Sequence, residues 1–196
     1  MTLMINPRNA VVVLAVTFLS LGLSGCSLFS GSQEEASTAF EAANASIDRH
    51  NQLFAEARDT YDAVRTDIES GEDPGGQRRD IVQARQNLQE ARGHLRAAGE
   101  ELSSITGMNV EEPVREYADT FTRAVDEQLA AEATEVRFYE LLERNPSLDG
   151  SRDEALELLE QVGAGYASAE EEYARAQRLA NENSDLISPT DSGNTR

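Results

Sequence analysis

From Ala36 onward the apolar residues of this chain recur in alternating steps of four and three, the spacing that lays one stripe along an α-helix. The first stripe reads Ala36, Phe40, Ala43, Ile47, Phe54, Ala57, Tyr61, Val64 and Ile68, with His50 in the one step that lacks an apolar residue. It predicts a helix of about nine turns beginning near Glu34. Ser70-Gly71-Glu72-Asp73-Pro74-Gly75-Gly76 must end it, because a C-cap glycine, a proline and a glycine pair follow one another. A second stripe, Ile81, Ala84, Leu88, Ala91, Leu95, Ala98, Leu102 and Ile105, predicts a helix from Gln77 to Ser104, with Gly107 as its stop. Pro113 suits the first turn of a third helix, where its missing N–H costs nothing, and Asn145-Pro146 closes that helix after Arg144. Ser151 and Glu154 have capping-box spacing and open a fourth, through Asn183, with the stripe Ala155, Leu159, Val162, Tyr166, Ala169, Tyr173, Ala176 and Ala180.

Four helices of similar length joined by short breaks predict an all-α fold, an antiparallel up-down-up-down four-helix bundle with coiled-coil-like heptads. In the first, second and fourth helices small and large residues separate within the heptad. Ala84, Ala91 and Ala98, for example, oppose Leu88, Leu95 and Leu102. Such Ala-rich positions let helices approach closely, so the expected shape is a slim rod of roughly 45 Å with little room for a cofactor.

A few polar residues break this regularity. His50 is too large and too polar for a slot otherwise filled by alanine, and it lies near the middle of the first helix. Gln128 and Glu132 interrupt the third near its middle. In parallel first and third helices these three groups share one height. The layer has two readings: it fixes helix register, or it binds a small ligand or cation. His94 flanks Leu95 and reads as solvated. Glu132 or Glu135 near Arg137, and Glu172 near Arg175, read as surface pairs that solvate the bundle. Glu170-Glu171-Glu172 and Glu111-Glu112 are solvated faces or an acidic patch for a cation or basic partner. Tyr117, Tyr139, Tyr166 and Tyr173 are expected in the core with wet hydroxyls, the alternative being contact with cell-wall glycan.

Catalytic motifs are missing from the sequence. Neither histidine has a glutamate three residues before it, as bundle di-iron sites require, and no phosphate loop, nucleophile elbow or zincin helix occurs. The expectation is a protein that is not an enzyme, with no metal and no dissociable cofactor.

All 36 acidic residues and 16 of the 17 arginines follow residue 25, so the 171 residues beyond it carry a formal charge of −20. Nucleic acid and anionic headgroups would be repelled. Every basic side chain is arginine, a pattern read first as the mark of a high-GC or salt-adapted host. Beyond residue 25 there is room for one domain.

Ahead of the heptads, Arg8 and the amino terminus precede an apolar run, Ala10 to Leu23, of 14 residues. As a helix it would span about 21 Å, short of the roughly 30 Å hydrocarbon core, so an export signal is expected and not a membrane span. Leu23-Ser24-Gly25-Cys26 contains the only cysteine. It resembles a bacterial lipobox. That resemblance implies recognition of Leu23, Ser24 and Gly25 by lipoprotein signal peptidase, cleavage before Cys26, a diacylglyceryl group on its thiol and acylation of its freed amine. Two or three acyl chains give the stable anchoring that one cannot. The organisation expected is a signal peptide over 1–25, a lipidated cysteine and tether over 26–33, a bundle over 34–187 and a frayed tail over 188–196.

With its lipobox and heptads the chain is similar to small helical surface lipoproteins of bacteria, and loosely to a family of cell-wall-binding helical lipoproteins of Gram-positive bacteria, whose lysine-rich character it lacks. The resemblance implies attachment to the membrane through lipid, on the outer face of the cell membrane. In a host with two membranes it implies transport to the outer membrane, since Ser27 is not the aspartate of inner-membrane retention. Expected partners are an envelope protein, the cell wall or a second copy of the chain.

Overall fold

The computed structural model describes residues 30–187. Within that range the chain is an antiparallel four-helix bundle of α1 (Ser30–Ser70), α2 (Arg78–Ile105), α3 (Glu112–Arg144) and α4 (Arg152–Glu182), completed by a single helical turn, α5 (Ser184–Ile187). The heptad stripes of α1, α2 and α4 face inward, with Phe54, Tyr166, Tyr173 and Ala180 half-buried and the rest buried. Residues 1–29, including Leu23 to Cys26, and the tail 188–196 lie outside the described residues.

Two boundaries differ from expectation. Ser30 to Gln33, assigned to the tether, form the first turn of α1. Once packing at Ala36 and Phe40 fixes the helix, extending it by a turn costs little. Ser184 to Ile187, beyond the expected end of the fourth helix, form the separate turn α5 after a break at Asn183, packed on α3 and α4 with Ile187 buried. At 41 residues α1 is also longer than expected, about 61 Å at 1.5 Å per residue.

The helix ends follow local chemistry. Gly71 adopts φ +88°, and the pair Glu72 N–H to Asp67 O and Gly71 N–H to Ile68 O forms a Schellman cap on α1. A 3-10 turn over Pro74–Gln77 then leads into α2, with Asp73 Oδ1 accepting from the Gly75 amide at 2.8 Å. Ser151 precedes α4, but its side chain makes no capping bond to the helix; its hydroxyl accepts from Asn145 Nδ2 at 3.1 Å instead. The capping box expected from Ser151 and Glu154 is therefore not formed, the loop having claimed the serine.

Backbone packing is uneven around the bundle. Helices α1 and α2 lie close, as do α3 and α4, and α2 packs on α3, whereas α1 and α4 meet sparsely. Gly99 faces Val125 across the α2/α3 seam, and Gly165 faces Ala131 across α3/α4 so closely that a Cβ on Gly165 would sit 2.8 Å from the Ala131 Cβ. The wider α1/α4 seam is filled by long side chains. Phe54 meets Tyr166 edge-on at 5.7 Å, and Arg58 lies over the Tyr166 ring at 5.3 Å. At the end where α4 begins, Arg152 donates to the carbonyls of Ile68, Gly71 and Glu72.

The core divides into two apolar clusters. One gathers Tyr61, Val64, Leu88, Phe138, Leu142 and Val162 toward the loops that follow α1 and α3; the other gathers Phe40, Leu95, Leu102, Phe121 and Ile187 toward the opposite end. Between them lies a polar layer.

Candidate functional site

His50, Gln128 and Glu132 come together in that layer. The antiparallel connections run α1 and α3 in the same direction, so their midpoints fall side by side. His50 is 1% exposed and Glu132 0%. His50 Nε2 lies 2.7 Å from Glu132 Oε1, to which Gln128 Nε2 also donates at 2.9 Å. Tyr173, reaching from α4, donates to Gln128 Oε1 at 2.7 Å. The ring of His50 stacks on Phe54 at 5.2 Å.

Proton positions follow from the partners. Nε2 facing a carboxylate carries hydrogen, while Nδ1 lies 3.1 Å from Asn51 Oδ1. With the Asn51 amide in that orientation both ring nitrogens donate and the ring is an imidazolium; with the amide turned over, its NH2 donates to Nδ1 and the ring is neutral. Glu132 Oε2 is buried without a hydrogen-bond partner among the described residues. Beside the layer a cavity of about 40 Å³ is lined by Ile47, His50, Asn51, Phe54, Leu95, Phe121, Gln128 and Tyr173. At roughly 10–15 Å³ per water it has room for about three.

One helical turn along α3 a second carboxylate is buried. Glu135 is 0% exposed. Its Oε2 accepts from the Tyr166 hydroxyl at 2.7 Å and faces Arg58 Nη1 at 3.4 Å; Tyr139 Oη lies 3.2 Å from its Oε1 and 3.1 Å from the carbonyl of Ala57. Arg58 also sits over the Tyr61 ring at 4.1 Å. Burial pushes the Glu135 carboxyl above the usual glutamate range, Arg58, Tyr166 and Tyr139 pull it down, neighbouring Glu132 adds to the rise, and the net is upward. The hydroxyls of Tyr139, Tyr166 and Tyr173 are likewise raised, first by burial.

Three expectations are corrected here. Glu132 and Glu135 do not form surface pairs with Arg137, which is exposed and reaches Thr134 Oγ1 and Gln161 Oε1 instead. Both carboxylates point inward because α3 packs against α2 and α4 and exchanges side chains with α1 across the core. The hydroxyls of Tyr139, Tyr166 and Tyr173 are not wet but bonded to protein acceptors. His94 is half-buried, not fully solvated. Glu172 does pair with Arg175, at 3.0 Å, and with Arg123 at 3.6 Å; Glu111, Glu170 and Glu171 are exposed, as is Glu112, which pairs with Arg115.

Arg58, Glu135 and Tyr139 belong to the network although the heptad stripes do not single them out as a site. The signal available was the i, i+3 spacing of Glu132 and Glu135, which puts both on one face of α3. Among the described residues no cluster of three or more His, Cys, Asp or Glu side chains is placed to hold a metal ion, and no helix is long and apolar enough to cross a membrane. The chain matches no protein-family model, no curated protein and no solved structure.

Proposed function

We propose that this chain is a lipid-anchored protein of the bacterial cell envelope, working without catalysis as a helical scaffold or protein-interaction module. Leu23-Ser24-Gly25-Cys26 supports the anchor. The observation that carries the scaffold reading is a long bundle closed by side-chain packing, whose cavity beside the layer is only about 40 Å³. Such a domain offers its faces, and these are strongly acidic. The partner is an envelope protein or the cell wall, and the attachment is to the outer face of the cell membrane, or to the outer membrane where the host has two.

Crosslinking and affinity purification of the full-length protein from its own host, with Cys26→Ala as control, tests this reading. A reproducible envelope partner that depends on Cys26 is the expected result. Recovery of lipid and self-contacts alone would sink it.

A second reading makes the polar layer a site for a small ligand or cation. Its motivation is the cavity lined by His50, Gln128 and Tyr173, together with the unpartnered oxygen of nearby Glu132. Thermal shift of the wild type against a panel of metals and metabolites, repeated with His50→Ala, tests it. An equal shift in the variant, or none in the wild type, removes the site.

A further inference from the structure

Glu135 is surrounded by groups that suit it in either charge state. The Tyr139 hydroxyl has one hydrogen and stands within bonding distance of two acceptors, Glu135 Oε1 at 3.2 Å and the Ala57 carbonyl at 3.1 Å. When Glu135 is a carboxylate, Tyr139 donates to it. When Glu135 is a carboxylic acid, Tyr139 turns its hydrogen to Ala57 and its oxygen accepts from the Glu135 O–H. Neither state leaves a buried donor unpaired. Arg58 has alternatives of the same kind: it stands 3.4 Å from Glu135 and 3.4 Å from Asp62, with its guanidinium over Tyr61.

We propose that Glu135 is a proton-binding site in the bundle core, with Tyr139 as the rotor that accommodates the proton and Arg58 as the cation that moves toward Asp62 when it binds. Charge balance supports it. Two fully buried carboxylates, Glu132 and Glu135, stand one turn apart on α3; His50 faces Glu132 at 2.7 Å, and Glu135 has only Arg58, at 3.4 Å and shared with Asp62. Buried like charges favour a proton on one of them. The groups facing Glu135 are Arg58 and Tyr61 from α1, with His50 one layer away; Glu132 and Tyr139 from α3; and Tyr166 from α4. Among the described residues α2 brings no ionisable side chain within hydrogen-bonding distance of Glu135; it buries Ala84, Leu88 and Ala91 and carries one half-buried cation, Arg92, whose Nε is buried without a hydrogen-bond partner. The upward displacement of the Glu135 carboxyl agrees in direction.

In effect, acid carries a proton inward and shifts an arginine charge away from Glu135 toward the exposed carboxylate of Asp62. The inference is independent of the envelope reading, since it concerns the core and not the anchor.

The test is a pH titration of the full-length chain in detergent micelles, with carboxyl carbons of glutamate and side-chain nitrogens of arginine isotopically labelled for NMR. One glutamate carbon is expected to titrate above the exposed ones, the Arg58 signal to shift with the same midpoint, and both responses to vanish in Glu135→Gln. Tyr139→Phe should move the midpoint by roughly half a pH unit or more, about threefold in proton affinity. If Glu135→Gln fails to fold, infrared spectroscopy of the wild type serves instead, by the carbonyl band of a neutral buried carboxyl appearing at a pH where exposed glutamates remain ionised. No such carbon or band, or a glutamate titration that Arg58 does not follow, overturns the proposal. A midpoint unchanged in Tyr139→Phe overturns the part given to Tyr139.

Discussion

At the end of the bundle where α1 and α3 terminate, Val64, Leu88, Phe138 and Leu142 meet through hydrocarbon and ring surfaces; at its middle, His50, Glu132, Gln128 and Tyr173 meet through hydrogen bonds. The apolar end gains from burial in almost any register that keeps the stripe inside, because Ala and Leu repeat every heptad. The middle does not. A slip of α1 against α3 by one heptad, about 10 Å, would carry His50 away from Glu132 and leave the buried carboxylate with Gln128 of its own helix as its one remaining donor. Apolar burial of this kind supplies most of the stability of a bundle, and a register role for the polar layer would be to favour one alignment among several of similar burial, which the following variants test.

The contrast is broken most severely by His50→Ala, which leaves the Glu132 carboxylate buried with only the neutral donor Gln128 and should cost about 3–5 kcal/mol in urea denaturation. Replacing both partners, as His50→Leu with Glu132→Leu, should recover most of that loss while weakening alignment, seen as broadened NMR resonances along α1. Next is Leu88→Ala in the apolar end, expected to cost about 2–5 kcal/mol with alignment retained. Gly165→Ala would force a methyl into Ala131 and should cost about 1–3 kcal/mol, whereas Gly163→Ala, two residues earlier and free of neighbours within 4 Å, should gain about 0.5–1 kcal/mol. The smallest effect is on pH dependence. Because the Glu135 carboxyl is raised in the fold, its favourable contribution is complete below the ordinary glutamate range and is lost as pH rises through the raised folded value. The wild type should therefore lose stability relative to Glu135→Gln as pH rises across that window, measured by thermal melts at matched ionic strength.

The sequence discloses the inner faces of some helices more plainly than others. In α1, α2 and α4 a single inward stripe made the periodicity plain, and His50 stood out as the one polar member of the α1 stripe. Helix α3 resisted the same treatment. It is buried on more than one side, from Val114 and Tyr117 through Thr120, Glu132 and Glu135 to Leu142, and a helix with a broad inner surface shows no narrow stripe. That breadth is why Glu135 resembled a surface charge. Periodicity reports which side of a helix is apolar; it carries nothing about a neighbour such as Arg58, 77 residues away, that makes a charge tolerable inside. The Ser151 cap failed for a related reason, since Asn145 competes for its hydroxyl at a range that a four-residue motif does not see.

Arg152 gives the two hairpins a fastening that the chain itself does not provide. Its guanidinium joins the first turn of α4 to the last carbonyl-bearing turn of α1 and to the loop beyond it, a noncovalent rung between segments about 80 residues apart. The opposite end of the α1/α4 seam has no equivalent rung among the hydrogen bonds of the described residues. The bundle should therefore breathe like a clothes-peg hinged at Arg152, with amide exchange along α4 growing faster from Ala155 toward Ala180, and a gradient that flattens once the arginine is replaced.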